Sequence, residues 1–316
     1  MTKLSIIIPF YNNEKYIERC LRSICEQDIP LEEYEIIAVS DASTDNSSAI
    51  VEMLQKEYSN IRLITLDKNH KQGGARNEGL KNAKGAWVWF VDADDYIKPN
   101  VLGKVLDNCL DDLDFIHFDY TEVRENGHSI NTNYNLSTEI ISGEEFLSLL
   151  GKNWGYTCVN VWQRIMRKSF LLYNRISFAE GVFIEDVDYS LRCFILAQKV
   201  RHIDLIPYTY CIYKSSSSRG IINGSTIYYW IELAKRCDIV NNTYKMSHES
   251  KELIRIYINY LIHQILANYS TLSKEDKNYV KKNIRFISLV RLFRYISFKK
   301  ALFLIYRCIF DKSISI

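Results

Sequence analysis

The chain has 316 residues and a formal net charge of +2, with 47% hydrophobic and 25% charged residues. These values describe a globular protein with room for about two domains, and they exclude a general polyanion-binding character. Met1-Thr2-Lys3 leads directly into a strand pattern, so we expect no signal peptide, and no apolar run approaches the roughly 18 residues of a membrane-spanning helix. Because the 8 cysteines are scattered without metal-ligand spacing, we expect a cytoplasmic protein with reduced, mostly buried thiols.

Strand and helix patterns alternate in the first third of the chain. Apolar runs predict buried strands at 4–9, 35–39 and 87–91, and a further strand is predicted at 61–66. An amphipathic or capped helix pattern follows each of the first three strands. This alternation predicts right-handed crossover units and an α/β sheet.

Three acidic side chains follow the fourth strand directly. Asp92, Asp94 and Asp95 come at its carboxyl end, where open parallel sheets place their ligands. Carboxylates this close together repel unless a cation joins them, and an oxygen-rich cluster without sulfur suits Mg²⁺ or Mn²⁺. The alternative is a polar turn, because the sequence DADD also suits a loop.

Two further polar features lie at the same predicted edge. Asp41 follows the second strand, where a carboxylate accepts hydrogen bonds from a ribose or a base; the alternative is an acid that caps a helix or turn. Gly73 and Gly74 allow close backbone approach, and the guanidinium of Arg76 suits a phosphate, unless it lies on a solvated helix face. No GxGxxG pattern follows the first strand and no P-loop pattern occurs, which argues against a dinucleotide dehydrogenase and a P-loop NTPase.

Four motifs occur in an order that is typical of one enzyme family. They are LSIIIPFYNNEKYIERCLRSI, EIIAVSDASTDNS, GGARNEGLKNAKGAWVWFVDADD and FIEDVDYSLRC. Over about its first 220 residues, which carry these motifs, the chain resembles the family 2 glycosyltransferases. These are inverting enzymes with the GT-A nucleotide-sugar fold. The resemblance implies a GT-A nucleotide-sugar-binding sheet with flanking helices.

The resemblance also implies a donor site on the first part of the chain. Pro9, Tyr11 and Glu14 match positions that line the nucleoside pocket of the family. Asp41 matches the acid that contacts the base, and Arg76 falls in the segment that approaches the base or the diphosphate.

The acids after the fourth strand match the D-x-D motif of the family. The resemblance implies that Asp92 lies near the ribose, that Asp94 holds Mn²⁺ or Mg²⁺, and that Asp95 supports them. The chain departs from the family at Ala42, where relatives often carry glycine in a tight turn. This departure affects the expected geometry of the loop more than the expected activity.

The middle third is expected to shape the acceptor side. The predicted elements are a strand at 114–120, a loop or hairpin at 124–136, a helix at 141–150, and a strand with a short helix at 159–172. By resemblance, Asn160, Trp162 and Arg164 are candidates to contact the acceptor. Packing in an aromatic core is the alternative for Trp162.

An acid pair begins the next predicted helix, at 183–194. The dipole of a helix stabilises acids in its first turn, which alone would explain Glu185 and Asp186. The resemblance matches them instead to the catalytic acids, with Asp186 as the base that takes a proton from an acceptor hydroxyl. Glu185 and Asp188 would support it, and we expect the helix dipole to hold the pKa of Asp186 low.

The pattern changes after the predicted catalytic part. Lys214 and Arg219 flank four serines, and by resemblance they belong to a loop at 210–219 that covers the diphosphate; a flexible serine-rich linker is the alternative. From residue 221 the pattern is helical. We therefore predict a GT-A catalytic domain at 1–220, with a nucleotide-sugar half at 1–110 and an acceptor half at 111–220, and a helical region at 221–316.

Basic residues interleave with large apolar ones beyond Lys277. Such a segment suits a helix on an anionic membrane surface, here the inner face of the cell membrane; the alternative is a helical cap with a solvated basic rim. We expect no nucleic-acid partner, because no other motif supports one.

These features predict a metal-dependent inverting glycosyltransferase. It would move a hexosyl or N-acetylhexosaminyl group from a nucleoside diphosphate, most simply UDP, to a saccharide or lipid-linked saccharide in surface polysaccharide synthesis. Asp186 would activate the acceptor while the metal on Asp94 stabilises the departing diphosphate. The rival interpretations are a catalytically degenerate sugar-nucleotide-binding or membrane-scaffold protein, and a nucleotidyltransferase.

Overall fold

The computed structural model describes residues 2–154, 160–213, 222–283 and 291–296. These residues belong to two compact units. One unit holds the residues up to 153 together with 160–213, and the other holds the residues from 222 onward. The expected domain boundary near residue 220 falls between the described ranges, so its position stays a prediction.

Ten strands of the first unit pair into one sheet within the described residues. Their bounds are β1 Leu4–Phe10, β2 Tyr34–Ser40, β3 Ile61–Thr65, β4 Trp87–Phe90, β5 Tyr96–Ile97, β6 Phe115–Arg124, β7 Ser129–Asn131, β8 Ile140–Ile141, β9 Arg164–Arg167 and β10 Val200–Ile212. The hydrogen-bonded order is β3-β2-β1-β4-β9-β6-β10-β5, with β7 beside β6 and β8 beside β10. The four strands predicted in the first third of the chain are all present.

Six strands of this sheet run in the same direction. β1 to β4 pair in parallel, in the order β3-β2-β1-β4, and β6 is parallel to β10. β9 is antiparallel to both β4 and β6, so these two strands point the same way on either side of it. The carboxyl ends of the six strands therefore meet at one edge of the sheet, and the acidic loops lie there.

Helices flank the sheet and form the second unit. Their bounds are α1 Ile17–Cys25, α2 Ser47–Glu57, α3 Lys71–Asn82, α4 Leu102–Asp107, α5 Gly143–Trp154, α6 Lys168–Tyr173, α7 Asp186–Leu196, α8 Gly224–Thr243, α9 His248–Tyr269 and α10 Lys274–Asn283. The apolar spacing predicted in α1 is confirmed, because Ile17, Cys20, Leu21 and Ile24 are buried. The predicted helical character beyond residue 221 is confirmed by α8, α9 and α10.

The predicted loop at 210–219 begins later than expected. Tyr210–Ile212 are the last residues of β10 and pair with β6. The pairing of β10 with β6 shifts register between Ile203 and Tyr208, and this irregularity interrupts the alternation by which a strand is recognised in a sequence.

Aromatic side chains fill the centre of the sheet. Trp162 stacks on Tyr208 with ring centroids 4.4 Å apart, and Trp89 Nε1 donates to the backbone oxygen of Trp162 at 2.7 Å. All three side chains are buried. This packing fixes the middle of β10 against β4 and the short 3₁₀ helix Val161–Gln163 that precedes β9.

The second unit has its own small core. The Asn223 side chain accepts from the backbone nitrogen of Thr226 and caps α8, and the core includes Ile227, Ile231, Ile265 and Tyr269. Most of the basic segment predicted to contact a membrane lies outside the described residues.

Within the described ranges, no helix combines the length and the apolar character needed to cross a bilayer.

Ala42 provides a test of backbone strain in the loop after β2. Its φ is +59°, in the left-handed region that costs a residue with a Cβ roughly 1–2 kcal/mol. Glycine removes this cost but makes the unfolded chain more flexible, which offsets roughly 0.5–1 kcal/mol. We expect Ala42→Gly to raise the free energy of unfolding by about 0.5–1 kcal/mol in chemical denaturation.

Asn100 is the matched control, because its φ is +55° and asparagine tolerates the left-handed region. Asn100→Gly should leave the free energy of unfolding unchanged or slightly lower. An equal gain at both positions would contradict the strain assigned to Ala42.

Candidate active site

Hydrogen bonds join two loops at the carboxyl edge of the sheet. The backbone nitrogen of Asn13 donates to Ser47 Oγ at 2.7 Å. The Glu14 carboxylate accepts from the backbone nitrogen of Asn46 at 3.1 Å and from its side chain at 3.0 Å. The loop after β1 and the loop after β2 are therefore held together as one wall of the site.

Three residues of this region were candidates to line a nucleoside pocket. Pro9 is buried within β1, and the Glu14 carboxylate binds the residue that precedes α2. Tyr11 is 49% exposed. Of the three, Tyr11 has the surface on which a base could stack; the pocket roles of all three stay predictions.

Asp41 is buried at the end of β2 and faces the start of α3. Its Oδ1 accepts from the backbone nitrogen of His70 at 2.7 Å, and His70 is the residue that precedes α3. Burial raises the pKa of Asp41 above its ordinary value, although the backbone bonds oppose this rise. Asp41 therefore binds the residue that precedes α3, and its contact with a base stays a prediction.

One buried arginine connects the two acidic parts of the site. Arg76 Nη2 lies 2.8 Å from Asp92 Oδ1, and Arg76 Nη1 lies 2.6 Å from Glu185 Oε1. Burial alone would lower the pKa of Arg76, but the charges of Asp92 and Glu185 raise it above its ordinary value. The Phe178 ring packs 5.3 Å from the guanidinium carbon. Arg76 is thus committed to two carboxylates, whereas the sequence interpretation placed it against the base or the diphosphate.

A glycine allows α3 to approach the acid pair closely. A Cβ at Gly73 would lie 2.4 Å from the backbone oxygen of Ala179 and 3.1 Å from Glu185 Cγ. The residue directly before the acid pair, Ile184, has a φ of +61°, in a region that β-branched residues avoid. Strained backbone of this kind clusters at functional sites, and here it directly precedes Glu185 and Asp186.

Asp186 is the first residue of α7 and is half-buried. Burial, and then the neighbouring charge of Glu185, raise the pKa of Asp186 to about 7. The expectation of a low pKa is therefore wrong, because burial and like charge outweigh the helix dipole. Asp188 was expected to support this acid, but it pairs with Arg192 at 3.2 Å within α7.

The three acids after β4 have different environments. Asp95 is fully buried, and its carboxylate accepts from Tyr208 Oη at 2.5 Å and from the backbone nitrogen of Cys211 at 2.7 Å. Asp94 is half-buried, and burial followed by the charge of Asp92 raises its pKa to about 6. In the part of the chain that the structure describes, other residues donate hydrogen bonds to the backbone oxygen of Asp94 but none to its carboxylate.

The open carboxylate of Asp94 fits a divalent cation that is shared with a bound diphosphate. The described residues include no group of three His, Cys, Asp or Glu side chains placed to hold a metal ion by themselves. Mg²⁺ commonly binds through one or two carboxylates together with substrate phosphates. The residues present therefore fit a partial metal site that a nucleotide would complete.

The residues predicted on the acceptor side have different surroundings. Asn160 is half-buried and precedes a short 3₁₀ helix. Trp162 is 5% exposed, so core packing describes its contacts and leaves little surface for an acceptor. Arg164 is also buried. Lys214 and Arg219, predicted to cover the diphosphate, lie outside the described residues.

Two side chains beside the acids were missed in the sequence interpretation. Gln72 Nε2 donates to Asp92 Oδ1 at 3.2 Å, and Arg19 Nη2 donates to the backbone oxygen of Asp94 at 2.5 Å. Both residues are exposed on helices, where polar side chains are common. Their positions in the sequence therefore give no signal of a role.

Comparison with known proteins gives one family. The model of glycosyl transferase family 2 matches residues 5–171. The uncharacterized glycosyltransferase YibD of Escherichia coli K12 is 30% identical over 253 residues, which cover 77% of this chain and 72% of that protein. The poly(ribitol-phosphate) β-N-acetylglucosaminyltransferase TarS of Staphylococcus aureus is 44% identical over 103 residues, or 32% of this chain and 18% of TarS.

The fold is shared with a solved structure. A crystal structure of S. aureus TarS 1–349 in complex with UDP-GlcNAc matches with a TM-score of 0.72 and 22% identity, and the match covers 97% of this chain and 87% of that one. The predicted GT-A fold is thereby confirmed.

Removal of the Arg76 charge should destabilise the protein. Arg76→Gln leaves the carboxylates of Asp92 and Glu185 without their cation, and loss of one partner from a buried ion pair costs roughly 3–5 kcal/mol. We expect a loss of this size in the free energy of unfolding at pH 8.

Arg22→Gln is the control, because Arg22 forms surface ion pairs with Glu18 and Glu57 at 2.9 and 3.0 Å. Surface pairs contribute about 1 kcal/mol or less. If urea denaturation gave equal losses in the free energy of unfolding for the two variants, the larger contribution assigned to the Arg76 ion pairs would be wrong.

Proposed function

Because the chain belongs to glycosyl transferase family 2, we propose that it is an inverting enzyme that takes a sugar from a UDP donor. The observation that carries the proposal is the bridge made by Arg76. It joins Asp92, which follows β4, to Glu185, which immediately precedes Asp186. The bridge thus holds the acids assigned to the donor close to the acid assigned to the acceptor.

In the proposed reaction, Asp186 takes the proton of an acceptor hydroxyl. The hydroxyl oxygen forms a bond to the anomeric carbon as the bond from that carbon to the diphosphate oxygen breaks. UDP leaves with the electron pair, and attack opposite to it inverts the configuration. A pKa of about 7 suits this role, because Asp186 is then substantially ionised at neutral pH and still basic enough to accept a proton.

We propose that Asp94 holds Mn²⁺ or Mg²⁺ together with the diphosphate of the donor. A bound divalent cation would stabilise the charge that develops on the departing diphosphate. On the core side of this position, the Asp95 carboxylate accepts hydrogen bonds from Tyr208 and from the backbone nitrogen of Cys211. This anchor leaves the neighbouring carboxylate of Asp94 open toward the site.

The donor and acceptor classes are proposed from similar proteins. The crystal structure of TarS contains UDP-GlcNAc, which supports a UDP-linked hexose or N-acetylhexosamine as the donor here. TarS is named for transfer to poly(ribitol-phosphate), and this supports a polymeric acceptor. We propose a saccharide or a lipid-linked saccharide of a surface polymer as the acceptor.

Substitution of the proposed base tests the function. Asp186→Asn should lower the rate of sugar transfer by about 100-fold or more and leave UDP affinity unchanged, because the base acts on the acceptor. Transfer would be measured as UDP released from a panel of UDP-sugars with saccharide acceptors, and UDP binding by calorimetry.

Glu180→Gln is the control for Asp186→Asn, because it changes another acid in the segment before α7. The exposed Glu180 accepts a hydrogen bond from Asn77 at 3.0 Å, and glutamine keeps an acceptor oxygen at that place. Full turnover in Asp186→Asn would refute its role as the base. A wild-type protein that neither binds UDP nor releases it from any donor would refute the proposed function.

The pH dependence of the reaction follows from the same carboxylate. A base works in its ionised form, so kcat/KM should be level well above pH 7 and should fall about tenfold per pH unit well below it. The midpoint is expected near pH 7, where Asp186 titrates. A profile of kcat/KM at saturating metal that stays level down to pH 5 would contradict the raised pKa.

A further inference from the structure

We propose that Arg19 is a positioning residue that fixes Asp94 for the diphosphate-bound cation. The inference rests on the proposed function, because it concerns the same site. Arg19 lies on α1, far in sequence from the acid that it contacts. Neither the motif pattern nor the spacing of apolar residues in α1 gives it a role.

The guanidinium of Arg19 binds the backbone on which Asp94 stands. Its Nη2 donates to the backbone oxygen of Asp94 at 2.5 Å and to Tyr213 Oη at 2.8 Å. The same Tyr213 hydroxyl donates to the Asp94 backbone oxygen at 3.4 Å. One carbonyl group is therefore held from two sides, by α1 and by the residue that follows β10.

Aromatic rings hold the guanidinium in this orientation. The guanidinium carbon lies 4.8 Å from the centre of the Tyr96 ring and 5.9 Å from that of Tyr16. Tyr16 also stacks on Tyr213, with ring centroids 4.4 Å apart. Contacts between a cation and an aromatic face stabilise by roughly 0.5–1 kcal/mol at exposed sites, so the rings of Tyr96 and Tyr16 limit the motion of a side chain that is otherwise long and flexible.

Arg19 forms no ion pair with a carboxylate of the described residues. Its hydrogen-bond partners are a carbonyl, a phenol and the sulfur of Cys211. The positive charge therefore remains beside the acidic turn. It compensates part of the repulsion that Asp94 experiences from Asp92.

The contacts of Arg19 and Asp95 complement each other. Asp95 ties the turn after β4 to β10 from the core, and Arg19 ties it to α1 from the solvent side. The carboxylate of Asp94 projects from a backbone that is fixed on both sides. Partners that orient a metal ligand without touching the metal typically change metal affinity by about 10–100-fold.

Metal-dependent binding of UDP tests the inference without the transfer reaction. Calorimetric titrations of UDP at a series of MnCl₂ concentrations give the Mn²⁺ concentration for half-maximal binding. We expect Arg19→Gln to raise this concentration by about tenfold, and UDP affinity in EDTA to stay unchanged. Arg19→Lys keeps the charge but cannot bridge two oxygens in the same way, so it should restore part of the loss.

Two further variants separate positioning from general stability. Tyr213→Phe removes one partner of Arg19 without changing α1, and it should raise the Mn²⁺ requirement by a smaller factor. Arg22→Gln removes a surface arginine from the same helix, whose pairs are with Glu18 and Glu57, and it should leave the Mn²⁺ requirement unchanged. Thermal unfolding of each variant shows whether it is folded.

The outcomes are distinct. An unchanged Mn²⁺ requirement in folded Arg19→Gln would overturn the inference, and so would an equal loss of UDP affinity in EDTA, because Arg19 would then act on the nucleotide. If Arg19→Gln does not fold, Tyr213→Phe decides: a raised Mn²⁺ requirement supports positioning, and an unchanged one overturns it. A wild-type protein that does not bind UDP at any Mn²⁺ concentration would refute the proposed function itself.

Discussion

A single buried charge determines which parts of the chain must form together. Arg76 on α3 contacts Glu185, which is 109 residues away in the sequence, and Asp92, which is 16 residues away. Loss of either carboxylate would lower the free energy of unfolding, because a buried charge that loses its partner is not solvated by water instead. The helix α3, the turn after β4 and the start of α7 therefore depend on one another, and the proposed chemistry lies where they meet.

Much of the fold follows from the order of apolar runs, and the remainder depends on distant pairing. The strands β1, β2 and β4 are buried on both faces and have largely apolar sequences, so their existence and direction could be predicted. β9 has only four residues, and nothing in so short a segment indicates that it runs against its neighbours. The register shift in β10 likewise depends on its pairing with β6, which a local pattern does not contain.

The residue types of the site could be predicted more fully than their contacts. Asp94 and Asp95 are adjacent and chemically identical, yet one is open and the other is fully buried against Tyr208, 113 residues further along the chain. The pKa of Asp186 is raised by burial and by Glu185, and burial is a property of the whole fold. Arg76 was recognised as important from its type, but its two partners became known only from the structure.

The fit between α3 and the segment before α7 restricts which segments of other proteins could replace that segment in this chain. The segment lies against Gly73, where no side chain can be accommodated, and against Arg76, which requires an acid at position 185. A chimera that receives this segment from another enzyme must therefore also receive a compatible α3. A chimera that receives only one of the two elements would lose these contacts, whereas a chimera that receives both together would keep them.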